Sequence, residues 1–112
     1  MSVDQPKVID FVGVDKASGE VILTIADHLD WNDSRAHQMI LQDKLNSYLA
    51  FIESGEILES YPDSKDRPVV INIVFKYKPD QPGQQFFAKA REVIESAGFS
   101  LRYEVFAESY DN

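Results

Sequence analysis

One stretch, from Ser34 to Ser54, contains neither proline nor glycine, and it constrains the rest of the chain more than any other feature. At 1.5 Å per residue a helix over it spans roughly 30 Å, about the width of a small domain. Asn32 or Asp33 is the expected N-cap, since a short side-chain oxygen there accepts from an orphan amide of the first turn. Trp31 stands ready as the apolar half of a staple. Gly55 suits the left-handed position that ends a helix.

At 100° per residue, Leu41, Leu45, Tyr48, Leu49 and Ile52 form one apolar stripe, the expected core face. Ala36, Met39, Ile40, Ala50 and Phe51 form a second stripe nearly opposite. A surface helix of a monomer needs only one. The second stripe therefore calls for a cover, either the chain's own loop at 56–68 or tail, or a second subunit.

Two strands precede this helix. Val8–Val14 and Val21–Ala26 are rich in β-branched residues, and the Asp15–Glu20 segment with Ser18-Gly19 reads as the turn of a hairpin. After the helix, Glu56–Pro68 reads as an irregular, mobile loop. Val69–Tyr77 alternates cleanly, with Val69, Ile71, Ile73, Phe75 and Tyr77 on one side. Pro79-Asp80-Gln81-Pro82-Gly83 then opens a second helix carrying Phe86, Phe87, Ala90, Val93, Ile94 and Ala97 at helical spacing. Gly98 and Phe99 cap it, and Ser100–Phe106 reads as the last strand.

The order ββαβαβ predicts a single α+β domain over residues 1–112, a two-layer sandwich of one four-stranded mixed sheet with both helices on one face. On that arrangement Val21, Leu23, Ile25, Ile71, Ile73, Phe75, Leu101, Tyr103 and Val105 face the helices. The other face carries Val12, Ile22, Val70, Val74 and Phe106 among polar residues. A face left to water should be mostly polar, and this one is half apolar. Met39, Ile40 and Phe51 on the helix back, and Val12, Val74 and Phe106 on the sheet, are thus the candidate interface residues.

The 112 residues include no cysteine and carry a formal charge of -8. Disulfides and thiolate metal sites are excluded, and such a field repels phosphate backbones and anionic lipid. Neither nucleic acid nor a membrane is an expected partner, and with no apolar run of signal-peptide or spanning length the expected location is the cytoplasm.

Asp27, His28, Asp30, Asp33 and His37 form the one cluster with metal-ligand residue types. Asp33 and His37, in i,i+4 relation, can share a helical face. The spacing matches no established two-histidine motif, so His28, Asp30, Asp33 and His37 are candidates set against simple capping and solvated charge. Asp10, Thr24, Asn72, Arg102 and Glu104 occupy outward positions on the open sheet face and form a candidate small-ligand site, set against ordinary cross-strand pairing. No nucleophile elbow, phosphate loop or dinucleotide glycine pattern occurs, and no cofactor is expected.

Asp10-Phe11-Val12-Gly13-Val14-Asp15, Gly19-Glu20-Val21 through Thr24-Ile25, Asp27-His28-Leu29-Asp30-Trp31 and the stretch from Lys44 to Glu56 resemble a small family of uncharacterised bacterial proteins, a domain of unknown function. The resemblance covers about the first half of the chain and implies a bacterial cytosolic protein. It transfers no activity, cofactor or site residue.

These features together predict a non-enzymatic interaction module, homodimeric, whose acidic surface engages a basic protein in the manner of an immunity or inhibitor protein. The competing expectation is a small-ligand or metal-assisted enzyme built on the Asp27–His37 cluster or the open sheet face.

Overall fold

The computed structural model describes residues 11–106. Strand β1, Phe11–Val14, pairs antiparallel with β2, Val21–Asp27. Gly19 makes their connection possible, adopting φ +78°, and its N–H donates to Asp15 O at 2.7 Å. Strands β3, Val69–Phe75, and β4, Ser100–Val105, follow in parallel, so the mixed sheet has the order β1-β2-β3-β4. Helix α1, Ser34–Glu53, links β2 to β3, and α3, Gln81–Ser96, links β3 to β4.

The caps of α1 form as expected. Asp33 accepts from Ala36 N at 3.1 Å, and at the far end Gly55 adopts φ +86°. Between Gly55 and β3, however, the chain is ordered where a loop was expected. It forms a short helix α2, Glu56–Ser60, and a 3-10 turn, Pro62–Ser64. Glu56 and Glu59 in the first turn of α2 suit its amino end, Ile57 is buried, and Pro62 presets the backbone for the turn that follows. Arg67 ties this region to the hairpin by donating Nε to Asp63 O and Nη1 to Gly19 O, at 2.8 and 3.1 Å.

One hydrophobic cluster joins Val21, Leu23, Ile25, Ile71, Ile73, Phe75 and Leu101 of the sheet to Leu41, Leu45, Tyr48 and Ile52 of α1 and Ile94 of α3. Along this face β2 is completely covered, and β3 is covered from Ile71 to Phe75. Strand β4 is not: Tyr103 and Val105, expected in the core, remain over a third exposed, because α3 shields only the start of that strand. Tyr103 still packs edge-on against Phe75 and Phe87, with ring centroids 5.5 and 4.7 Å apart.

Two further expectations are corrected. The register pairs Val12 with Leu23 and Phe11 with Thr24, so Val12 belongs to the helix-covered face and Phe11 to the open one. A register offset of one residue exchanges every side chain between faces. Phe51, assigned to the back of α1, is buried in the same cluster as Ile57, where α2 packs against α1. Among the described residues no helix is long and apolar enough to cross a membrane.

Candidate functional site

The densest polar constellation lies where β2 and β3 end. Asp27, the last residue of β2, continues the alternation of Val21, Leu23 and Ile25 and so turns its carboxylate towards the helices, where only 2% of the residue is exposed. His37, just past the first turn of α1, is equally buried. Its Nε2 lies 2.6 Å from Asp27 Oδ2 and its Nδ1 lies 2.9 Å from the carbonyl oxygen of Asp30. Asp27 Oδ1 accepts from Leu29 N at 3.1 Å.

Hydrogen counting fixes the charge of this pair. A backbone carbonyl can only accept, so Nδ1 carries a hydrogen. A second hydrogen must sit between Nε2 and Oδ2, whether on the imidazole or on the carboxyl group. Either placement makes the pair neutral as a unit, which is the condition for burying it without an uncompensated charge. It also leaves neither ring nitrogen to a substrate. A general base needs one nitrogen directed at the proton it removes.

The surroundings close the pair off further. Trp31 lies over the imidazole, ring centroids 3.7 Å apart at 21°, and donates Nε1 to Tyr77 O at 3.2 Å. The indole also meets the first turn of α3, where a Cβ on Gly83 would stand 2.8 Å from its Cζ3. Asp80 caps α3 by accepting from Gly83 N at 2.8 Å, and the same oxygen accepts from Ser34 Oγ at 3.0 Å. The amino ends of α1 and α3 are thus bound to the carboxyl ends of β2 and β3 by one continuous network. The sequence places the opening of this helix within residues 79–83 but does not reveal this link, which no local spacing encodes.

Of the candidate metal residues, the structure gathers few. Asp33 is occupied as a cap and exposed, Asp30 accepts from Asn32 N at 3.1 Å, and His28 is exposed. Among the described residues no group of three or more histidine, aspartate or glutamate side chains is placed to hold a metal ion. A shallow hollow of about 380 Å³ nevertheless opens beside the pair, bordered by His28, Asp30, Asp33, His37, Ile40 and Tyr77.

On the open sheet face, Thr24, Asn72 and Arg102 stand in one cross-strand row, with Glu104 beside it. The polar groups of Asn72, Arg102 and Glu104 are directed at one another or at Glu20. Asn72 Nδ2 donates to Glu104 Oε2 at 3.0 Å, and Arg102 Nη2 reaches both carboxylate oxygens of Glu20 at 2.9 and 2.8 Å. Thr24 lines a hollow of about 320 Å³ with Phe11, Gly13 and Ile22, and the other three residues do not border it. Asp10 lies outside the described residues. Strands β1 and β4 are the two edges of the sheet, roughly 14 Å apart at the usual strand spacing.

The candidate interface residues divide. Met39 is 61% exposed and Phe106 54%, whereas Ile40 and Val74 are half-buried and Val12 and Phe51 pack with the core. Phe11, at 68%, joins the exposed set on the open face. A further apolar groove of about 300 Å³ runs between α1 and α3, bordered by Leu45, Leu49, Phe86, Ala90 and Val93.

Neither a curated protein nor a solved structure matches the chain. A family model does match, over residues 1–107, and the chain belongs to that family, the family of unknown function DUF6572.

Proposed function

We propose that this protein is a non-enzymatic interaction module of the cytoplasm, a homodimer that engages a basic protein partner in the manner of an immunity or inhibitor protein. The observation that carries the reading is a contrast in saturation. The buried Asp27–His37 pair is answered from within the chain, while Met39, Tyr103, Val105 and Phe106 face water. The acidic component comes from Glu53, Glu56, Glu59, Asp63 and Asp66, all exposed around the exposed Leu58 on and beside α2. Charge complementarity of this kind raises association rates and selects partners by sign.

The test is capture of basic proteins on the immobilised chain across a salt series. Recovery should fall steeply between low salt and 1 M, where the screening length shrinks to about 3 Å. A Glu56→Gln, Glu59→Gln, Asp63→Asn variant should lose most of it. If no basic protein is retained at low salt, or retention ignores salt, the electrostatic reading is wrong.

A second reading has its own observation, the hollow bordered by His28, Asp30, Asp33 and Tyr77. It would suit a small ligand bearing hydrogen-bond donors or a positive charge. Zinc or manganese titration followed by NMR is the probe: stoichiometric shifts of these residues, absent in His28→Ala, would favour it, and unchanged spectra would end it.

A further inference from the structure

Among the described residues, the outer edge of β4 has no strand paired to it. Natural edge strands are commonly kept short, or carry lysine, proline or a bulge, to prevent pairing with another chain. Within the described residues, edge β1 runs from Phe11 to Val14 and contains Gly13. Edge β4 contains neither proline nor lysine, and its register with β3 runs without interruption from Ser100 to Val105.

The direction of its peptide groups follows from one bond. Phe106 N donates to Phe75 O at 2.7 Å, so Phe106 points its amide at β3, and alternation turns the amides and carbonyls of Leu101, Tyr103 and Val105 outward. These are also the residues whose side chains lie on the helix side of the sheet. Arg102 and Glu104 lie on the other.

We infer that β4 pairs antiparallel with β4 of a second copy about a two-fold axis at Tyr103, joining the two sheets edge to edge. This rests on the homodimer proposed above and assigns its surface. With Tyr103 opposite its own copy, Leu101 opposes Val105 of the second copy and each outward amide meets an outward carbonyl. Arg102 then opposes Glu104 of the second copy, and Glu104 opposes its Arg102, in the closer non-hydrogen-bonded positions where side chains interact most. Sliding the pairing by one residue sets outward peptide groups against inward ones. Moving the axis by one residue preserves the ladder but sets Arg102 against Arg102, or Glu104 against Glu104. Among registers that pair the strand along its whole length, the alternation and the charges thus select this one, and a two-fold interface is self-complementary by construction. Arg102 already gives Nη2 to Glu20, and a guanidinium has five N–H donors with which to serve a second carboxylate.

Sedimentation equilibrium with charge-exchanged variants tests this. Arg102→Glu and Glu104→Arg should each raise the dimer dissociation constant roughly tenfold by opposing like charges, and the double exchange should return it to near the wild-type value. The double variant still lacks the Glu20 contact, so its recovery reports only pairing between copies. Val105→Pro, which deletes an outward amide without touching the β3 ladder, should also weaken the dimer. In the unmodified protein, the amides of Leu101, Tyr103 and Val105 should gain hydrogen-exchange protection as concentration rises, a measurement independent of how well any variant folds. A wild-type dimer indifferent to these substitutions, with those amides unprotected, would overturn the β4 assignment and leave the homodimer standing. A wild type monomeric at all concentrations would overturn both.

Discussion

The carboxyl-end corner and the β4 edge of this sheet contain similar polar material and treat it in opposite ways. At the corner, Asp27 and His37 are buried together, covered by Trp31, and bonded to Asp30 O and Leu29 N. At the edge, the peptide groups of Leu101, Tyr103 and Val105 point away from β3, and aromatic side chains remain in contact with water. A buried polar group is tolerable only when its bonds are complete, so the corner is organised to be self-sufficient. The edge has no such requirement as long as water is present, and it keeps the capacity to bind. In this fold, chemistry-bearing residue types mark the architecture, and ordinary strand residues form the surface proposed for contact.

The largest effects should come from breaking the corner. Asp27→Ala or His37→Ala leaves the other partner buried and uncompensated, which destabilises proteins by about 3–5 kcal/mol. Urea unfolding should show that loss for each single variant. The double variant should fall well short of the sum, because neither group then remains unpaired. A loss below 1 kcal/mol in the single variants would mean that water reaches the pair and that the corner is not closed. Nitrogen-15 NMR of His37 offers a direct check, with a hydrogen on Nδ1 and a second, strongly deshielded one between Nε2 and Oδ2.

Next in size is the packing of α3 on the indole. Gly83→Ala brings a Cβ to 2.8 Å from Trp31, and overpacking of this kind costs about 1–3 kcal/mol. Combining it with Trp31→Leu should reduce the increment, since the smaller side chain vacates the contact. An equal increment in both backgrounds would show that the cost of Gly83→Ala arises from helix backbone and not from the indole.

How legible this was in the sequence depended on the range of the signal. The boundaries of α1 were readable because Asp33 and Gly55 are local, acting within one turn of the residues they cap. The alternation of β3 was equally local. Which face Val12 occupies was not, because it depends on how the Asp15–Glu20 turn sets the register, and a one-residue change reverses it. Helix α2 rests on one buried side chain, Ile57, and is too short for periodicity to reveal. At the candidate site the right residues were in view but the pairing was not. Spacing suggested Asp33 with His37, whereas Asp33 is held by the amide of Ala36, and His37 turns instead to Asp27, which only the packing of α1 on β2 brings near. Exposure of Tyr103 and Val105 was hidden for the same reason, since alternation gives the face of a strand but not the reach of the helix above it.

The smallest expected effect sharpens the comparison by testing its premise where saturation fails. Ser64, in the 3-10 turn after α2, is buried, yet among the described residues its Oγ is the one buried side-chain polar atom without a hydrogen-bond partner. An unpaired buried hydroxyl forgoes its bonds to water and receives nothing in exchange, a penalty of about 1–3 kcal/mol relative to a paired one. Ser64→Ala removes that oxygen with little change in volume, so it should leave stability unchanged or raise it by up to about 1 kcal/mol, in contrast to the loss expected at Asp27. A decrease of more than 1 kcal/mol in urea unfolding would show that the hydroxyl is bonded in solution, for example to an internal water. Self-sufficiency would then extend from the corner to the described interior as a whole, in contrast to the unpaired edge of β4.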